Sequence, residues 1–132
     1  MKHPAVESIR WDGWTLYLLD QRRLPAEERW LEIADLDDAI AAIRDLVVRG
    51  APAIGITAAY ASVMALRARG GAGQGWSADL DRLVDARPTA VNLRWAVDRM
   101  RRAVRGCPAS ELDQRLESAA CAIHASDRAA NL

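Results

Sequence analysis

Two arginines stand next to predicted helix starts and have the chemistry to bind a phosphate group. Arg49 comes shortly before a nearly all-apolar helix predicted to begin at Pro52, and Arg87 comes shortly before a helix predicted from Ala90. The first N–H groups of a helix lack an intrahelical acceptor and carry partial positive charge, so they favour anions. Arginine adds a planar fork that donates two parallel hydrogen bonds to phosphate. The pattern indicates an anion site, although a tight turn with a solvated arginine fits the same spacing.

The segment that carries the first arginine, VVRGAPAIG at 47–55, is predicted to join two helices. Asp35 is a suitable N-cap for a helix over Leu36 to Arg49. Gly50 is predicted to end that helix, because glycine adopts positive φ without a Cβ penalty. Proline is favoured at the first helical position, so the next helix is predicted from Pro52 to about Arg69. Arg49 is therefore expected at the junction of the two helices.

The chain before these helices is predicted to form a small antiparallel sheet. Residues 6–20 alternate as a β-hairpin around Asp12-Gly13, a strong two-residue turn signal, and this register places Trp11 opposite Trp14. An isolated hairpin is only marginally stable. Residues 29–33 are therefore expected to add a third strand.

Three more helices are predicted after the glycine-rich segment 70–75, which is expected to be a loop. That segment is not a dinucleotide fingerprint, because its spacing is wrong and a helix precedes it. Apolar periodicity predicts helices at about 77–86 and 90–105, and a last one that opens with a capping-box-like Ser110 and Asp113. Gly55 inside the Pro52 helix costs about 1 kcal/mol relative to alanine, so packing or ligand approach is expected to require the missing side chain.

The sequence therefore predicts an α+β fold, with an N-terminal three-stranded antiparallel β-sheet followed by a bundle of about five helices. We expect residues 1–34 to form the sheet and residues 35–132 the helical region, together making one domain. A chain of 132 residues with 51% hydrophobic residues can bury a real core. Lysine plus arginine and aspartate plus glutamate both number 18, so no overall charge attracts nucleic acid or an anionic membrane. The apolar stretch 51–66 is interpreted as a buried helix rather than a membrane span.

The remaining reactive side chains do not form a recognisable site. Cys107 and Cys121 have no metal or redox spacing and are expected to be structural, which favours a reduced, cytoplasmic protein. His3 and His124 lack a partner pattern, and no His/Cys/Asp cluster indicates a metal. A basic stretch over 94–105 is the one feature that suggests nucleic acid, but a solvated face or a docking face fits it better.

Four motifs resemble one enzyme family. RGAPAIG at 49–55 and RPTAVNL at 87–93 are similar to the N-terminal part of methylthioribose-1-phosphate isomerases, and IRWDG at 9–13 and LLDQRRLP at 18–25 resemble the same family. The superfamily also includes ribose-1,5-bisphosphate isomerases and regulatory subunits of a translation-initiation exchange factor. RPTAVNL together with IRWDG favours the methylthioribose branch.

The resemblance implies which residues bind substrate. In the family, the RGA of the first motif and the arginine of the second contact the sugar phosphate. Those positions are occupied here by Arg49, Gly50, Ala51 and Arg87. The catalytic Cys and Asp of the family belong to a C-terminal Rossmann-like domain and are expected beyond Leu132. No catalytic residue, metal or cofactor is therefore expected in these 132 residues.

The function that the resemblance implies is part of an aldose–ketose isomerase. It would convert 5-methylthioribose 1-phosphate to 5-methylthioribulose 1-phosphate in methionine salvage, as a cytoplasmic homodimer in the full-length form, with a phosphorylated sugar but no nucleic acid or membrane as partner. We expect the chain alone to be inactive, as a fragment, a separate domain or the product of a truncated gene. The alternative is a non-catalytic sugar-phosphate-binding or regulatory module related to the exchange-factor subunits.

Overall fold

The fold is a small antiparallel sheet followed by helices packed around one central apolar helix. The computed structural model of the protein describes residues 8–130, with side chains described as far as Asp127; the start of the predicted hairpin and His3 lie outside this range. Within it the strands are β1 (Ile9–Trp11), β2 (Leu16–Leu19) and β3 (Trp30–Ile33), and the helices are α1 (Leu36–Arg44), α2 (Ala51–Arg69), α3 (Gln74–Ala86), α4 (Val91–Ala103) and α5 (Leu112–Ala130). The strands pair antiparallel in the order β1-β2-β3. The predicted fold class is confirmed.

The hairpin register differs from the predicted one. Trp11 pairs with Leu16, not with Trp14, so four residues rather than two connect β1 to β2. The cause is the Asp12 carboxylate, which accepts hydrogen bonds from the backbone N–H groups of Trp14 at 2.8 Å and Thr15 at 2.7 Å. The Asp12 N–H also donates to the Thr15 carbonyl at 3.3 Å, so the turn shifts by one residue to Gly13-Trp14 and leaves Trp14 76% exposed.

Helix α2 forms the centre of the core. It packs against α1, α3, α4, α5 and β1, and every residue from Ile54 to Val63 is buried. In the described part of the chain it is the one helix long and apolar enough to cross a membrane, and 72% of its 18-residue window is buried inside the protein. The interpretation of this stretch as a buried helix is confirmed, because its neighbours cover it on all sides.

Several predicted helix boundaries were wrong. Helix α1 ends at Arg44 rather than Arg49, because Leu46 turns the backbone with a φ of 66°. Gly50 therefore does not end α1: it is the N-cap residue of α2, with a φ of 86°. Helix α3 begins three residues earlier than predicted. A 3₁₀ turn at Ala109–Glu111 precedes α5 in place of the predicted capping box.

Arg67 joins α2 to the hairpin and to α5. Its guanidinium donates to the Gly13 carbonyl at 2.6 Å, to Asp113 at 2.8 and 2.9 Å, and to Glu117 at 3.1 Å. Glu117 in turn accepts a hydrogen bond of 2.8 Å from the indole N–H of Trp11. The Arg67 hydrogen bonds hold the pKa of Asp113 below its usual range. One side chain of α2 thus holds the hairpin and α5 together.

A second link between α2 and α5 is a buried pair. The Tyr60 hydroxyl and His124 Nδ1 are 2.6 Å apart, and the Tyr60 ring stacks on Trp11 with centroids separated by 4.8 Å. His124 is 4% exposed, so it packs in the interior of the protein.

Candidate phosphate site

A short buried segment positions the first arginine. Val47 and Val48 are 4% and 2% exposed, and they follow directly after the bend at Leu46. The Val47 N–H donates to the Ala42 carbonyl at 3.0 Å, and the Val47 carbonyl accepts from the Gln21 N–H at 2.9 Å. These contacts anchor the backbone on both sides of Val47. The exposed Arg49 therefore follows a backbone segment that is held in place.

The start of α2 offers unoccupied backbone donors. Gly50 has no side chain to cap the helix, and its carbonyl accepts the first intrahelical hydrogen bond, from the Ile54 N–H at 3.1 Å. Helix geometry leaves the N–H groups of Ala51 and Ala53 without an intrahelical acceptor, whereas Pro52 has no N–H. Gly50 and Ala51 are both exposed, so a ligand can reach these donors.

The start of α4 repeats this arrangement. Its N-cap residue, Ala90, makes no side-chain cap, and the Ala90 carbonyl accepts from the Arg94 N–H at 3.3 Å. The preceding turn is held by hydrogen bonds from the Ala90 N–H to the Arg87 carbonyl at 3.0 Å and from Arg94 Nη2 to the Pro88 carbonyl at 2.6 Å. Arg87 is half-buried beside this turn.

The two helix starts lie side by side. A Cβ atom on Gly55, in the second turn of α2, would be 3.0 Å from the Asn92 carbonyl oxygen and 3.6 Å from the Ala96 Cβ. Asn92 is the second residue of α4. The glycine that the sequence singled out is therefore required for close packing of α2 on α4, and that packing brings the first turn of α4 against the second turn of α2.

The side chains of Arg49 and Arg87 are unpaired. Among the residues that the structure describes, neither guanidinium makes a hydrogen bond, an ion pair or a ring contact. Three other described arginines share this state, at 29, 102 and 105, and none of them adjoins the start of an α-helix. By contrast, Arg69 donates twice to Asp79, at 2.9 and 3.0 Å, and lowers the pKa of that carboxyl.

A cavity of about 250 Å³ lies between the starts of α2 and α4 and the last turns of α5. It is lined by Pro52, Gly55, Ile56, Asn92, Trp95, Arg99, Ile123, Ser126 and Asp127. None of the four predicted substrate-binding residues is in this lining. Sequence reasoning missed the cavity, although Asn92, Trp95 and Arg99 recur at i, i+3 and i+7 on one face of α4, outside its apolar stripe.

The other candidate residues are dispersed. Cys107 and Cys121 are free thiols, the first in the turn after α4 and the second on the exposed face of α5. In the basic stretch, Arg101 binds Asp81 at 2.7 Å, and Arg99 lies over the Trp95 ring. Within residues 8–127, no three His, Cys, Asp or Glu side chains are close enough together to hold a metal ion.

Comparison with known proteins adds sequence relatives and structural neighbours. The chain is 52% identical over 132 residues to the methylthioribose-1-phosphate isomerase of Pseudomonas putida and 53% identical over 135 residues to that of Alkalilimnicola ehrlichii. These alignments cover 96% and 98% of the chain but only 37% and 39% of the relatives. The chain thus spans under two fifths of their length. No family model matches.

Solved structures show the same fold. The 5-methylthioribose 1-phosphate isomerase of Pyrococcus horikoshii superposes with a TM-score of 0.81 at 27% identity, over 88% of this chain and 35% of that one. The translation initiation factor eIF-2B delta subunit of A. fulgidus superposes with a TM-score of 0.79 at 33% identity, over 91% and 37%. Both neighbours belong to the superfamily indicated by the sequence motifs.

Proposed function

We propose that this chain, which belongs to the methylthioribose-1-phosphate isomerase family, binds the phosphate group of 5-methylthioribose 1-phosphate between the starts of α2 and α4. The observation that carries the proposal is the pair of unpaired guanidinium groups, Arg49 and Arg87, each beside a helix start without a side-chain cap. A phosphate dianion satisfies both the cationic side chains and the free backbone donors.

Each residue of the site has a distinct role in this proposal. Arg49 and Arg87 clamp the phosphate with charge-assisted hydrogen bonds. Gly50 turns the backbone with a φ of 86° so that the donors of the first turn of α2 face outward. Ala51 has almost no side chain to obstruct a ligand that approaches those donors.

Isomerisation also needs groups that move hydrogen between C2 and C1 of the sugar. General acids and bases contribute about 10²- to 10⁴-fold each when they are positioned at the reacting atoms. Neither Cys107 nor Cys121 lines the cavity beside the helix starts. We therefore assign a substrate-binding role to these 132 residues and no catalytic role to either cysteine.

The remaining elements of the proposal come from the family. The product would be 5-methylthioribulose 1-phosphate, formed in methionine salvage by a cytoplasmic enzyme that is homodimeric at full length. The reaction would use no cofactor, and the substrate would be the only partner besides the second subunit.

A second candidate function is a non-catalytic sugar-phosphate-binding or regulatory module. The specific observation in its favour is the likeness to the eIF-2B delta subunit of A. fulgidus, at a TM-score of 0.79. Retained binding of the sugar phosphate by this chain fits both candidates. Turnover separates them once the chain is joined to the C-terminal part of a relative: ketose formation supports the isomerase, and its absence with intact binding supports the module.

The binding site is tested by calorimetric titration with methylthioribose 1-phosphate. A hydrogen bond to a charged group contributes about 1.5 to 3 kcal/mol, so Arg49→Ala or Arg87→Ala should weaken binding by about 10- to 100-fold. Arg→Lys at either position should recover only part of the affinity, because the charge remains but the fork is lost. Ala51→Leu should block binding sterically without a change in charge.

The matched control is Arg102→Ala, since Arg102 is equally unpaired but lies at the far end of α4. It should bind as the parent does, and thermal melts of each variant should show a folded protein. Parent-like affinity in both Arg49→Ala and Arg87→Ala would mean that the arginines are only solvated turn residues.

A further inference from the structure

We infer that Trp95 is a specificity-determining residue, and that the cavity beside the phosphate site takes up the apolar 5-methylthio end of the substrate. This inference rests on the proposed function, because it assumes that the phosphate end is held by Arg49 and Arg87. It assigns a role to the one described cavity between α2, α4 and α5, which the phosphate site itself does not use.

The cavity presents mainly apolar surface to an entering group. Pro52 and Ile56 of α2 and Ile123 of α5 form its apolar walls, and Gly55 leaves room between them. Trp95 is 47% exposed, so its indole ring is accessible to a ligand. The polar lining residues are Asn92, Arg99, Ser126 and Asp127, and the Arg99 guanidinium is 5.5 Å from the centre of the Trp95 ring.

The cavity and the phosphate site are near enough for one small ligand to reach both. Pro52 lines the cavity and is three residues from Arg49, so their Cα atoms are at most about 11 Å apart. Asn92, also in the lining, belongs to the first turn of α4, whose free N–H groups form the other half of the phosphate site. A pentose with its phosphate on C1 has its 5-substituent at the opposite end of the molecule, which matches this division.

The chemistry of the cavity favours a thioether over a hydroxyl group. A methylthio group is apolar, and its polarisable sulfur makes favourable contacts with an aromatic ring. Where that group lies against proline, isoleucine and indole carbon, a 5-hydroxyl loses hydrogen bonds to water, whereas an S-methyl group loses none. The cavity should therefore prefer methylthioribose 1-phosphate over ribose 1-phosphate.

The test compares the dissociation constants of these two compounds by ligand-observed NMR in the parent and in four variants of the 132-residue chain. A small apolar group in a hydrophobic pocket changes binding discrimination by about 10- to 200-fold. Trp95→Ala should therefore reduce the preference for the methylthio compound by about 10-fold. Trp95→Phe should restore part of it. Trp14→Ala removes an exposed tryptophan outside the cavity and should leave the preference unchanged. Arg49→Ala should weaken the binding of both compounds by the same factor.

A measurement on the parent alone completes the test, should Trp95→Ala fail to fold. Nuclear Overhauser effects are expected between the S-methyl protons and the Trp95 indole protons. An unchanged preference in folded Trp95→Ala, or S-methyl contacts confined to other residues, would overturn this inference while binding through Arg49 still supports the proposed function. If the parent binds neither compound, the proposed function and this inference fail together.

Discussion

Replacement of Gly55 by valine should separate the two helix starts on which the phosphate site depends. Gly55 is buried in the second turn of α2, and a Cβ atom added to it would lie 3.0 Å from the Asn92 carbonyl oxygen. That oxygen belongs to the backbone of α4, so relief requires movement of the helix and not merely a rotamer change. Gly55→Val should therefore push the first turn of α4 away from α2.

The steric term should outweigh the gain in helix propensity. Valine is better than glycine in a helix by a few tenths of a kcal/mol. Overpacking of a close-packed interior costs about 1 to 3 kcal/mol, and the rigid backbone contact puts Gly55→Val in the upper part of that range. At about 4 °C per kcal/mol, the melting temperature should fall by about 5 to 10 °C.

Ala68→Val is the matched control, since it adds the same β-branched side chain at an exposed position on α2. It should cost only the propensity difference of about 0.6 kcal/mol, close to 2 °C. Calorimetric melts give both values, and titration with methylthioribose 1-phosphate below the melting range should show weaker binding for Gly55→Val only. Equal melting temperatures for the two variants would refute the tight contact between α2 and α4.

Two further predictions concern stability. Arg67→Met should destabilise the fold by about 2 kcal/mol, because it removes the charge-assisted hydrogen bond to the Gly13 carbonyl and the ion pairs with Asp113 and Glu117. Arg115→Met, which removes only a surface ion pair, should cost under about 0.5 kcal/mol by urea denaturation. Hydrogen bonds from Arg22 and Arg69 lower the pKa values of Asp20 and Asp79 below 3.8, so their contribution is present above that pH and lost as the pH falls through the folded-state pKa. Urea midpoints between about pH 5 and pH 2 should therefore fall less steeply in Asp79→Asn than in the parent; parallel curves would contradict the assignment.

Local patterns predicted the elements whose causes are local. The Asp35 carboxylate accepts from the Asp38 N–H at 2.9 Å, as expected of an N-cap. The apolar stripe of α4 buries Leu93, Val97 and Met100, as its spacing requires. The third strand begins within one residue of its predicted position.

The errors arose where distant or side-chain contacts decide the backbone. The Asp12 carboxylate stabilises the turn one residue later than predicted, and the indole N–H of Trp11 donates to Glu117, 106 residues away. Helix α1 ends early at a bend at Leu46, after which both Val47 and Val48 are buried. Two adjacent residues of an amphipathic helix are rarely both buried, because they lie on different faces. The cavity was not predictable either, since three helices from separate parts of the chain form its walls.

Two pairs of arginines among the described residues differ in whether their guanidinium groups are bonded to carboxylates. Arg67 and Arg69 are bonded to carboxylates, so a ligand could recruit them only by breaking existing pairs. Arg49 and Arg87 make no such pairs with the residues that the structure describes, yet their backbones are held, Arg49 by buried Val47 and Val48 and Arg87 by the turn into α4. A side chain on an ordered backbone loses less conformational freedom on binding than one on a mobile loop, so more of each hydrogen bond is retained as affinity. The early end of α1, which the helical periodicity did not predict, is thus what lets Val47 and Val48 hold the backbone before Arg49 in the proposed site.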